Sequence, residues 1–154
     1  MVSSFQEIRN ANMDDFERPA VLPEGEYVGE IAVEPVQGTV NGKAGEDQYD
    51  TLDFTFAIVE YLGGASNDAL DTYGAVEGAR VRRRFMFDNF DAKKARNSAY
   101  YLRRFFNALG LENRSVNDAL TECVGARCII TVTHRPNERD PEFPYTEVGK
   151  VASL

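Results

Sequence analysis

The stretch that decides the fold is RVRRRFMFDNFDAKKARNSAYYLRRFFNALG, Arg80 to Gly110. Its apolar period changes partway. As far as Asp88 the residues alternate, with Val81, Arg83, Phe85 and Phe87 on one face and Arg82, Arg84 and Met86 on the other, as in a β-strand. Beyond Asp88 or Asp91, either of which can cap a helix, Ala95, Ala99, Leu102, Phe106 and Leu109 recur at helical spacing. Gly110 then supplies the residue that commonly ends a helix. The opposite side of that helix carries Lys93, Arg96, Tyr100, Arg103 and Arg104. Residues 80–104 thus hold nine Lys/Arg against two acids, in a chain whose formal net charge is −8.

On the N-terminal side, YDTLDFTFAIVEYL (49–62) places Leu52, Phe54, Phe56 and Ile58 on one face and Asp53, Thr55, Ala57 and Val59 on the other. This is the clearest strand in the chain, with one face in the core. GEYVGEIAVEPV (25–36) reads as an earlier strand broken by Pro35, and Gly29 inside it marks a bend or bulge. QGTVNGKAGEDQ (37–48) and GGASNDALDTYGAVEGA (63–79) read as Gly-rich loops. On the C-terminal side, LENRSVNDALTE gives a turn and a short helical piece. CVGARCIITVTHR gives a fourth strand, RPNERDPEFPY a Pro-rich loop and TEVGKVASL a short fifth strand. The order β-β-β-α-β-β predicts an all-β domain with one main helix, a five-stranded OB-fold barrel whose helix plugs one end. Residues 1–21 form an N-terminal arm or short helix, and 22–154 the barrel domain.

Length and composition fit one globular domain: 154 residues, 43% hydrophobic and 27% charged. No apolar run is long enough for a membrane span, and the first sixteen residues lack the form of a signal peptide. The expectation is a cytoplasmic protein without membrane association. Cys123 and Cys128 fall five apart in the fourth strand, on opposite faces, and are expected as reduced thiols near the core. A single histidine, His134, and no paired-cysteine spacing give no metal site, so His134 reads as a polar residue at a strand end. Phosphate-loop, dinucleotide and nucleophile-elbow motifs are missing. A binding protein with no cofactor, no metal and no catalytic residue is the expectation.

An OB barrel binds oligonucleotides across its second and third strands, between the loop joining strands one and two and the loop joining strands four and five. Single strands need cations to follow the phosphates and flat rings for unstacked bases. Candidates for the first role are Lys43 in the first loop, Arg82 and Arg84 on the third strand, and Arg135 and Arg139 around the last loop. For the second role they are Tyr49 and Tyr61, bounding the second strand, with Phe143 and Tyr145 in the last loop. The ligand expected is single-stranded DNA. The alternative is a protein-interaction domain of the same fold whose arginines meet an acidic partner protein.

The segments LPEGEYVGEIAVEPV, LDFTFAIVEY, YYLRRFFNALGLE, VGARCIITVTHR and EVGKVASL carry a further signal. Together they hold a G-x-Y-x-x-x-I first strand, a helix ending in Leu-Gly after the third strand, and a hydrophobic-Gly turn into the fourth. Over roughly residues 22–154 the chain resembles the small single-stranded DNA-binding proteins of bacteriophages. The resemblance implies an OB fold, sequence-tolerant binding of single-stranded DNA in phage replication or recombination, a host-cytoplasmic location and no catalytic residue. Replication or recombination proteins would be partners, and homo-oligomers are compatible with it. Many such proteins recruit partners through an acidic tail; the final residues here are KVASL, from which no such recruitment is expected.

Overall fold

The computed structural model describes residues 5–15, 20–42 and 48–154. Six strands, β1 (Gly25–Ile31), β2 (Val36–Asn41), β3 (Gln48–Gly63), β4 (Arg80–Asp88), β5 (Arg127–Arg135) and β6 (Tyr145–Ala152), form one antiparallel sheet. Among the described residues four α-helices accompany them, α1 (Phe5–Asn10), α2 (Asn67–Tyr73), α3 (Ala92–Ala108) and α4 (Val116–Glu122), with a 3-10 turn at Met13–Asp15. Strands follow the order β2-β3-β1-β5-β6, with β4 paired to β3 as well.

The sixteen-residue β3 makes this order possible. Its first half pairs β2 from Val36↔Asp53 to Asn41↔Gln48, and its second half pairs β1 from Ile31↔Phe56 to Glu26↔Gly63. β4 lies against it from Tyr49↔Asp88 to Ala57↔Arg80. The expected irregularity at Gly29 is present as a register shift between Val28 and Gly29. A Cβ there would sit 3.0 Å from side-chain carbons of both Ile130 and Phe56, so any larger residue pushes against the core where the strand coils. At the far ends of the ladder β4 and β6 come side by side without hydrogen bonding, and the sheet is not closed.

Of the two caps that the sequence offers for the helix, Asp91 is the one used. Asp91 Oδ1 accepts from the backbone N–H groups of Lys93 and Lys94 at 3.0 and 3.1 Å, and Gly110 takes φ 78° just after the last turn. Leu102, Phe105, Phe106 and Leu109 bury one face against the sheet. Phe105 is the hub, its ring centroid 4.7 Å from Phe54, 5.1 Å from Phe85 and 5.9 Å from Phe56. Tyr27, Ile31, Ile130, Val132 and Val148 complete the core.

Three expectations are corrected. Residues 36–41, read as the end of a strand and the start of a loop, form β2, giving six strands rather than five. β2 buries almost nothing, so its stability comes from the ladder to β3 and no apolar alternation announces it. The second Gly-rich connection contains α2, capped by the Ser66 hydroxyl, which accepts from Ala69 N–H at 3.1 Å. Cys123 lies at the C-terminus of α4, not in a strand; only Cys128 belongs to β5. Both thiols are free and buried, and burial pushes that of Cys128 up to about 12. α1 buries no residue, leaving Phe5, Ile8 and Met13 exposed. Among the described residues no helix is long and apolar enough to cross a membrane.

Candidate nucleic-acid interface

β4 distributes its arginines between two environments by strand alternation. On its outer face Arg84 opposes Asp53 and Arg82 opposes Thr55 in the ladder to β3. The Arg84 guanidinium donates to Asp53 through both Nε, at 2.7 Å, and Nη2, at 2.9 Å. Arg82 Nη1 stands 3.8 Å from the same carboxylate. The hydrogen bond from Arg84, added to the field of both guanidiniums, holds the Asp53 carboxyl below its usual range. One carboxylate therefore serves two arginines, and the Arg82 side chain remains 60% exposed.

Arg83 projects to the inner side of β4, where its guanidinium lies 4.7 Å from the centre of the Phe85 ring. It is half-buried, and desolvation lowers its pKa against a raising influence from Glu147 on β6. Such a group is poised between strands rather than on an open face.

Along the unclosed seam between β4 and β6 lies a trough of three hollows, neighbours sharing lining residues. Its widest part, about 840 Å³, lies where α3 underlies the gap and is lined by Arg83, Phe85, Tyr101, Arg104 and Lys150, among others. Arg83 also borders a narrow neck of about 100 Å³, together with Arg82, Arg84, Arg135 and Tyr145. Arg135 and Tyr145 in turn border a third depression, of about 340 Å³, with Arg139. Seven cationic side chains line these three hollows with three carboxylates, Glu112, Glu138 and Glu147, and two of the seven, Arg82 and Arg84, share Asp53. The balance inverts the sign of the chain as a whole.

Arg135 and Tyr145 face each other across the β5–β6 ladder, the guanidinium 5.1 Å from the ring centre. Arg135 has Glu147 at 3.8 Å, a separation that gives weak neutralisation at an exposed site. Tyr145 is 47% exposed. The pair offers a cation and a ring at the mouth of the neck.

The structure thus gathers Arg82, Arg84, Arg135, Arg139 and Tyr145 of the sequence-derived candidates. Tyr49 shares the outer face of β3 with Asp53 but opposes Val40 and Asp88, and does not line the trough. Tyr61 pairs with core residue Tyr27, ring centroids 5.5 Å apart, and its hydroxyl accepts from Ala65 N–H at 2.9 Å. Phe143 sits half-buried in a turn, its carbonyl accepting from Asn137 Nδ2 at 3.1 Å. Lys43 lies outside the described residues. Sequence reasoning missed Arg83, Tyr101, Arg104 and Lys150 as lining residues; alternation already set Arg83 apart from Arg82 and Arg84, whereas Lys150 needs the β4–β6 approach to be known.

His134 works as a tie. Its Nε2 is 2.7 Å from the Leu22 carbonyl oxygen, and its backbone N–H donates to Glu24 at 3.1 Å, fastening the segment before β1 to β5. Among the described residues no group of three metal-ligating side chains is present. No protein-family model matches the chain, and no curated protein matches it.

Proposed function

We propose that this chain binds single-stranded nucleic acid, with DNA as the ligand, in the trough between β4 and β6. Arg82, Arg83, Arg135 and Arg139 follow the phosphates, and Tyr145 offers a stacking surface. The observation that carries the reading is the set of seven cations along the seam, against Glu112, Glu138, Glu147 and the Asp53 that holds Arg84, in a chain of net charge −8. A basic stripe on one face is the electrostatic footprint of a nucleic-acid site. The path differs from the one expected across the second and third strands, because Arg84 is held by Asp53.

The fold reading goes with it. Without β2, five strands and α3 follow the order β-β-β-α-β-β, and the two ends of the ladder, β4 and β6, return to each other. That arrangement supports a partly open OB barrel with an added hairpin strand. The resemblance to phage single-stranded DNA-binding proteins is the ground for placing the activity in phage DNA replication or recombination. The role requires no catalytic group.

Fluorescence anisotropy of a labelled oligo-dT tests the proposal. Binding is expected at low salt, and log affinity falls against log salt with a slope of about 0.7 for each phosphate neutralised. Absence of binding at low salt, with retention of an acidic protein partner instead, overturns it in favour of a protein-interaction domain.

A further inference from the structure

The chemistry of the seam continues onto the exposed side of α3. Tyr101 and Arg104 line the widest part of the trough and stand three residues apart, on neighbouring turns of one helix face. Tyr100 lies against Tyr101, ring centroids 5.7 Å apart in an edge-to-face arrangement, and the two side chains are 55% and 57% exposed. A turn earlier stand Lys93, Arg96 and Asn97, all exposed. Lys150 reaches the same hollow from β6, where the register skips Gly149 and pairs Lys150 with Thr131. Among the described residues, none of Lys93, Arg96, Arg104 and Lys150 lies within ion-pair distance of a carboxylate.

Two exposed phenol rings flanked by unpaired cations meet both requirements of a single strand: flat surfaces for bases and positive charge for phosphates. Glu112 borders the same hollow but is not within ion-pair distance of Arg104 or Lys150. The helix's other flank offers an internal contrast: Arg103 lines a hollow between α3 and α4, with Leu102, Phe106 and Ala119, and does not line the seam hollow.

We infer that α3 extends the interface, taking the strand as it leaves the seam, with Tyr101 and Tyr100 as stacking platforms and Arg104 and Lys150 as phosphate contacts. This rests on the seam being the single-strand site. It makes the covered length greater than the seam alone holds.

The test compares a short oligo-dT of about six nucleotides with a long one of about twenty, a range chosen around the site sizes of OB domains. For the variant Tyr101→Ala/Arg104→Glu, affinity for the long probe is expected to fall about ten-fold or more, from one lost stack and one lost phosphate contact. Affinity for the short probe, which Arg82, Arg83, Arg135 and Tyr145 at the neck can hold, falls by a smaller factor. Tyr101→Phe, which keeps the flat ring, binds both probes as wild type does. Arg103→Glu, matched in charge but on the other flank, leaves the long-probe affinity unchanged. Equal long-probe affinity in Tyr101→Ala/Arg104→Glu and wild type overturns the inference, as does an equal loss in Arg103→Glu. Wild type binding neither probe is a separate failure, that of the seam reading itself.

Discussion

The outer face of β3–β4 and the seam between β4 and β6 draw their arginines from the same five-residue run, Arg80 to Arg84, yet they differ in what those arginines are free to do. On the outer face Asp53 binds Arg84 through two hydrogen bonds and stands near Arg82. In the seam Arg83 rests on Phe85, and across from it Arg104 and Lys150 have no carboxylate in ion-pair range among the described residues. The lesson is that a count of basic residues measures supply, while the register of the sheet decides availability. A bidentate guanidinium already bound within the protein must lose those bonds before it serves a phosphate, and an unpaired one does not.

The comparison breaks most completely if its common floor is removed. Phe105 packs against Phe54, Phe56 and Phe85 beneath both regions. Phe105→Ala is expected to cost about 3–5 kcal/mol of stability, measured by urea denaturation, and to abolish oligonucleotide binding because the strands that hold the cations lose their support. Retained binding in a strongly destabilised variant would detach the site from this core.

A smaller change sharpens the contrast. Asp53→Asn frees Arg84 and leaves Arg82 without its shared counter-charge, so affinity for oligo-dT should rise several-fold while the salt slope steepens by about 0.7 for each additional phosphate engaged. The same substitution has an acid signature. The folded carboxyl titrates below its ordinary value, so its contribution to stability is present above about pH 4 and is lost as pH falls through the lower folded value. Thermal melts across that window should show a shallower acid decline in the variant than in wild type. Identical acid profiles would mean that Arg84 and Asp53 gain little from each other in solution.

Much of the scaffold was legible from local pattern. Leu52, Phe54, Phe56 and Ile58 are all buried as their alternation predicts, and α3 starts just after Asp91, one of the two caps the sequence offers, and ends before Gly110. β2 was not legible because Val36, Gly38 and Asn41 bury nothing and resemble a loop. α2 was hidden between Gly63, Gly64 and Gly74, all at positive φ, although Ser66 already carried its capping signal. The site was legible only in part. Arginine on both faces of β4 follows from alternation, but the pairing of Arg84 with Asp53 spans 31 positions and rests on a strand register that no local pattern fixes. Tyr61, a plausible ring in the sequence, is engaged with Tyr27 and Ala65 because β1 pairs at that end of β3.

Anisotropy titration of labelled oligo-dT at about 50 mM salt, comparing wild type with Arg82→Glu/Arg135→Glu, tests the central claim most directly. Both side chains are largely exposed and border the neck of the trough. An affinity loss of about a hundred-fold with an unchanged melting temperature is the predicted result. Undiminished affinity in a variant that melts with wild type would contradict the assignment of the seam as the nucleic-acid interface.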